Sequence, residues 1–134
     1  MSQEFLLKGF NALLGIQVDK IEDGVAELTV PINPELLNSA ATVHGGALAS
    51  IADCAAGAAA FSTVPIERHC ITTDLHMTYM KSVSEGVLTC VGNVIHQSRR
   101  KLAVEASIHQ GGTLIAKAQV SFMIVERRGS FNAS

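Results

Sequence analysis

The stretch TVHGGALASIADCAAGAAA, Thr42 to Ala60, constrains the fold of this chain more than any other. Alanine is the strongest helix former, and Gly45-Gly46 fall near the start, where glycine does least harm, so the stretch reads as a helix. Small apolar residues cover nearly its whole circumference, and a helix that is apolar all round has to be buried on most sides. Other elements must therefore wrap around it, and its alanines let them approach closely. One charge, Asp53, sits in the middle of the most apolar part. An ionised carboxylate buried without partners is costly, so Asp53 must be paired, hydrated or functional.

The wrapping has to come from strands. Ile16 to Ile21 and Val25 to Val30 are short, partly alternating runs joined through Asp23-Gly24, a strong hairpin turn. Pro31, Asn33 and Pro34 break that pattern, and Pro34-Glu35-Leu36-Leu37 suits a short helical turn. His69 to Met80, Val87 to His96, Leu102 to Ile108 and Thr113 to Val125 read as further strands. Their connections are too short for parallel crossovers, so the pairing is antiparallel. Alternation over 69–80 sets Ile71, Thr73, Leu75, Met77 and Tyr79 on the helix side, with Cys70, Thr72, Asp74, His76 and Thr78 facing away. Ahead of all this, Phe5, Leu6, Phe10, Leu13 and Leu14 recur at helical spacing before a stop at Gly15. The expected class is α+β, a five- to six-stranded antiparallel sheet curled around one long central helix. Its 134 residues make a single domain, 1–134, with about 126–134 as a flexible tail.

Composition narrows the function classes. A formal charge of −2 gives no general attraction to nucleic acid or an anionic membrane. The longest apolar run, Ala47 to Phe61, is shorter than the ~20 residues a membrane span needs, and no secretory signal is visible. Cys54, Cys70 and Cys90 form no CxxC pair and are odd in number, which argues against a disulfide framework. The expected compartment is the cytoplasm. At 48% hydrophobic and 16% charged residues, the chain is apolar for its size, which suggests surface covered by another subunit.

His44-Gly45-Gly46 precedes the helix. Free amides at a helix start, with no side chain in the way, make a site for a developing negative charge, the geometry of an oxyanion hole. Without a following Lys-Ser/Thr it is not a Walker-type phosphate loop. Gly45 and Asp53 are eight residues apart, ~12 Å along one helix, so one chain cannot bring both to one reacting carbonyl. If they cooperate, Asp53 serves the Gly45 of a second copy, with the two helices antiparallel at a dimer interface. Cys54, beside Asp53, reads as a plain buried thiol, because neighbouring helix residues diverge by ~100° and no histidine is placed to activate it.

The pattern Asn38-x5-His44-Gly45-Gly46-x6-Asp53, with the strand Ile71-Thr72-Thr73-Asp74-Leu75 running to Tyr79-Met80, resembles hotdog-fold thioesterases. The similarity is to the phenylacetic-acid-pathway and acyl-CoA thioesterase 13-like branch, from about Leu14 to Val125. That resemblance implies hydrolysis of acyl-CoA thioesters by a homodimer, often a dimer of dimers, with no metal or cofactor. By position, the Gly45 amide would polarise the thioester carbonyl. Asp53 of the other protomer would act as general base on water or as nucleophile. Asn38 and His44 would hold the loop and position water or carbonyl, with Thr72 close by. The turn Arg99, Arg100 and Lys101 would meet the phosphates of coenzyme A. Relatives often carry glycine where this chain has Ala41, so Ala41 must either change conformation or carry strain. Two other readings stay open at this stage. One is a non-catalytic acyl-CoA binder. The other, less favoured because no histidine follows Asp53 on its helix, is an acyl-thioester hydratase or dehydratase.

Overall fold

The computed structural model of the chain describes residues 8–126. Helix α1 (Gly9–Leu14) is followed by strands β1 (Gln17–Glu22) and β2 (Val25–Pro31) and a 3-10 turn, Pro34–Leu36. The long helix α2 (Gly45–Phe61) comes next, and β3 (Arg68–Tyr79), β4 (Val87–Gln97), β5 (Lys101–Gln110) and β6 (Thr113–Glu126) complete the chain. No helix among the described residues is long and apolar enough to cross a membrane. Phe5 and Leu6, expected on the first helix, lie outside the described residues, as do 127–134 of the expected tail. Glu126, expected at the start of that tail, instead closes β6 opposite Arg68.

The six strands form one antiparallel sheet in the order β1-β2-β4-β5-β6-β3. Asp23 and Gly24 both take positive φ, 50° and 82°, as a type I′ hairpin demands. From β2 the chain crosses the inner face of the sheet as α2 and returns as β3 at the opposite edge. Ala26, Leu28 and Val30 of β2, Leu88 and Cys90 of β4 and Val104, Ala106 and Ile108 of β5 alternate inward and are buried. Against them α2 buries Leu48, Ile51 and Ala52 in its first half and Ala55, Ala56, Ala58, Ala59 and Ala60 in its second. The helix lies very close to β4. A Cβ on Gly92 would stand 2.7 Å from the Ala55 carbonyl carbon and closer still to its oxygen, so only glycine fits there.

The strict alternation expected for β3 is interrupted. Thr72 pairs with Phe122 and Asp74 with Ser121, so Thr73 is an extra residue in a β-bulge. Opposed residues share a face, and Phe122 and Ile124 point inward, so Cys70 and Thr72 do too. Past the bulge the parity is inverted, and Leu75, Met77 and Tyr79 oppose Val120, Ala118 and Ala116 on the inner face. The expectation that Thr72 faces away from the helix with Asp74 and His76 is thus corrected: one inserted residue flips everything before it.

Candidate active site

Two clusters of candidate residues lie on the inner face, one at each end of this strand. The first is built on Asp53. Its Oδ1 accepts a hydrogen bond of 2.9 Å from the Thr72 hydroxyl, the contact that the bulge makes possible. Burial raises the proton affinity of the carboxyl above the usual aspartate range, and the Thr72 bond acts in the opposite direction. Such a group suits proton abstraction from water near neutral pH. The Cys54 thiol is pushed up to about 12 by burial and then by the charge of Asp53, and it donates to Asn11 Oδ1 at 3.0 Å. It is therefore a neutral thiol rather than a nucleophile. Asp53, Cys54, Asn11 and Thr72 border a cavity of about 240 Å³ beside the helix.

The second cluster is the loop leading into α2. Asn38 organises it. Its Oδ1 accepts from the amides of Ala40 (2.9 Å) and Thr42 (3.1 Å), and its own amide donates to the Thr42 carbonyl at 2.8 Å. Asn38 Nδ2 donates to the Thr42 hydroxyl at 3.0 Å. This tight loop carries Ala41 at φ 60°, so the alanine keeps the left-handed conformation and bears the strain, on the order of 1 kcal/mol. His44 caps α2, its Nδ1 accepting from the Gly46 amide at 2.8 Å. That bond puts the ring proton on Nε2, which is left to donate elsewhere. The Gly45 amide, at the positive end of the helix, has no acceptor among the described residues.

A residue with no assigned role in the sequence completes this end. The Tyr79 hydroxyl donates to the Gly45 carbonyl at 2.8 Å, and its ring lies 3.4 Å from where a Gly45 Cβ would be. Tyr79 thus fixes the peptide next to the free amide. In the sequence it stood only as the end of the strand that carries the family resemblance, and as the one tyrosine of the chain.

Within one chain the structure unites Asp53 with Thr72, and Asn38 with His44, Gly45 and Tyr79, but the two groups border different cavities. Arg99, Arg100 and Lys101 join neither. They form the exposed β4–β5 hairpin, where the Arg100 carbonyl accepts from the Ile124 amide. Just before the hairpin, Gln97 Nε2 donates to the Thr63 carbonyl beyond the C-terminal end of α2. None of the three makes an ion pair among the described residues, so their charges are open to an external anion.

Comparison with known proteins extends this picture. The sequence profile of the thioesterase superfamily matches residues 40–117, which includes the loop from Ala40 onward, α2, β3 and the β4–β5 hairpin. The solved structure of a conserved protein from Pseudomonas aeruginosa superposes with a TM-score of 0.89 at 34% identity, covering 93% of this chain and 100% of that one. A protein of Saccharolobus solfataricus named as an esterase is 29% identical over 118 residues, which is 87% of this chain and 78% of that relative. A proofreading thioesterase of Cronobacter turicensis is 25% identical over 96 residues, 72% of this chain and 70% of its own length.

Proposed function

The chain belongs to the thioesterase superfamily, with the hotdog fold and the activity of a thioester hydrolase, and from that premise we propose that it hydrolyses acyl-CoA thioesters at sites shared between two copies. In this reading Asp53 of one protomer takes a proton from water, and the hydroxide equivalent attacks the thioester carbonyl. The partner's Gly45 amide, aided by the dipole of its helix, receives the charge that develops on the carbonyl oxygen. The tetrahedral intermediate collapses with loss of the coenzyme A thiolate, a leaving group good enough to need no strong acid. Asn38, His44 and Tyr79 hold the loop amide in place, and Thr72 holds the base. Arg99, Arg100 and Lys101 receive the phosphates as charge-assisted hydrogen-bond donors.

One observation carries this reading: Thr72 holds Asp53 and Tyr79 holds Gly45, and the bulge puts both on the inner face of an edge strand. The outer edge of β3 has twelve residues and no strand beside it among the described residues. A long open edge invites a second copy. Antiparallel pairing of β3 with its copy, centred on His76, sets Leu75 against the partner's Met77 and Asp74 against the partner's Thr78. This register, part of the same proposal, brings the Thr72 end of one strand beside the Tyr79 end of the other, so that the two half-sites meet. No other pairing is needed to finish a site. A dimer of dimers belongs to the same proposal, supported by the exposed stripe Val87, Val91 and Ile95 on the outer face of β4.

The test is thiol release from a panel of acyl-CoAs by the purified protein and by Asp53→Asn. The expected result is hydrolysis by the wild type and a loss of about a thousandfold in kcat for the variant. Wild-type rates in Asp53→Asn would remove the carboxylate from the mechanism, and no release from any acyl-CoA would remove the substrate class.

A further inference from the structure

Gly57 is an anomaly in α2. Glycine is among the costliest residues in a helix interior, and this one sits in a run otherwise made of alanine. Packing does not demand it. A Cβ built on Gly57 meets nothing nearer than the Phe122 ring at 3.9 Å, an ordinary contact, and its φ is not in the left-handed region. Gly92 is the opposite case, excluded from bearing a side chain by the helix backbone itself. The space above Gly57 is part of the cavity that begins at Asp53. Asp53, Gly57 and Phe61 follow at intervals of four along one face of the helix, spanning ~12 Å. Phe61 also lines this cavity, and its ring packs on His69 with centroids 5.0 Å apart.

We infer that this cavity is the acyl pocket, that the missing side chain of Gly57 makes the room in it, and that it limits the substrate to compact acyl groups. The inference rests on the acyl-thioester reading above. With the carbonyl at Asp53, the acyl group extends over Gly57 and ends against Phe61 and Phe122. A volume of about 240 Å³, at ~30 Å³ per water-sized group, takes about eight non-hydrogen atoms. A six-carbon chain or a single aromatic ring fits. A long fatty chain does not.

The experiment compares kcat/KM for acetyl-, hexanoyl-, benzoyl- and palmitoyl-CoA in the wild type, Gly57→Ala and Gly57→Leu. In the wild type, hexanoyl- and benzoyl-CoA should exceed palmitoyl-CoA by at least about tenfold. Leucine adds four carbons to a space for about eight, so the hexanoyl-to-acetyl ratio should fall by about a hundredfold, and with alanine by about tenfold. Gly57→Ala should also melt higher by roughly 3 °C, because alanine is the better helix residue and nothing obstructs it. Should the leucine variant fail to fold, the alanine variant decides. Unchanged ratios in a folded variant, a lower melting temperature for Gly57→Ala, or palmitoyl-CoA as the best wild-type substrate would each overturn the assignment while leaving the hydrolase reading intact. Failure of every acyl-CoA would overturn both.

Discussion

Asp53 joins function to stability with a definite sign. Burial holds its carboxyl above the ordinary value of 3.8, so the folded chain binds more protons than the unfolded chain between the two values. Stability therefore falls as pH rises through that interval and stays lowered above it. Asparagine keeps the shape and can still accept from Thr72, but carries no charge. Asp53→Asn should thus melt higher than wild type at pH 7, and the gap should close as the pH is lowered toward and below 3.8. Thermal melts of both proteins across that range check this; a variant that melts lower at pH 7 would mean that the ionised carboxylate is a structural partner. The same oddity, a charge where the helix has no use for one, is what made Asp53 legible in the sequence. Gly45 was legible for a related reason, because a helix start with two glycines leaves amides bare. Thr72 and Tyr79 had no such mark: hydroxyls on a strand are ordinary, and only the fold shows which acceptors they reach.

Elements follow the sequence where a local rule dominates. Asp23-Gly24 made the hairpin, Gly15 stopped the first helix with φ 73°, and the alanine-rich run formed the buried helix. Asn38 and Ala41 show the other case, where a loop forces a residue against its preference. The loop from Asn38 to Thr42 is closed by four hydrogen bonds between Asn38 and Thr42, and these hold Ala41 at φ 60°. Ala41→Gly should relieve that strain, a gross gain of about 1 kcal/mol that leaves a net rise of roughly 1 °C in Tm. The greater freedom of glycine in the unfolded chain takes the rest, so a differential-scanning measurement showing a loss instead of a gain would mean that the loop strain is smaller than the entropy difference. The bulge at Thr73 had no sequence signal at all. No glycine marks it, and it exists only as a shift in register of β3 against Ser121 and Phe122 of β6, which only the paired strands reveal.

At the scale of the molecule, what matters is whether one chain or two make a site. Spacing alone said two, since a helix of this pitch holds Gly45 and Asp53 ~12 Å apart whatever surrounds it. What spacing could not supply was the surface that brings two chains together, because an unpaired strand edge is a property of topology. Complementation tests the whole proposal at once. Proline is favoured at the first position of a helix, and the backbone of His44, at φ −60° and ψ 135°, is the extended form a following proline requires. Gly45→Pro therefore deletes one amide hydrogen while the helix start is kept, and alone should cost 10²–10³-fold in kcat. Asp53→Asn deletes the other half. In a mixed dimer of the two variants, the intact Asp53 of one chain faces the intact Gly45 of the other, and the second site has neither. Equal amounts refolded together should place half the dimers in the mixed form, each with one working site, and so recover about a quarter of the wild-type rate from two inactive parents. A site contained within one chain would recover nothing, since neither parent has a complete one to contribute.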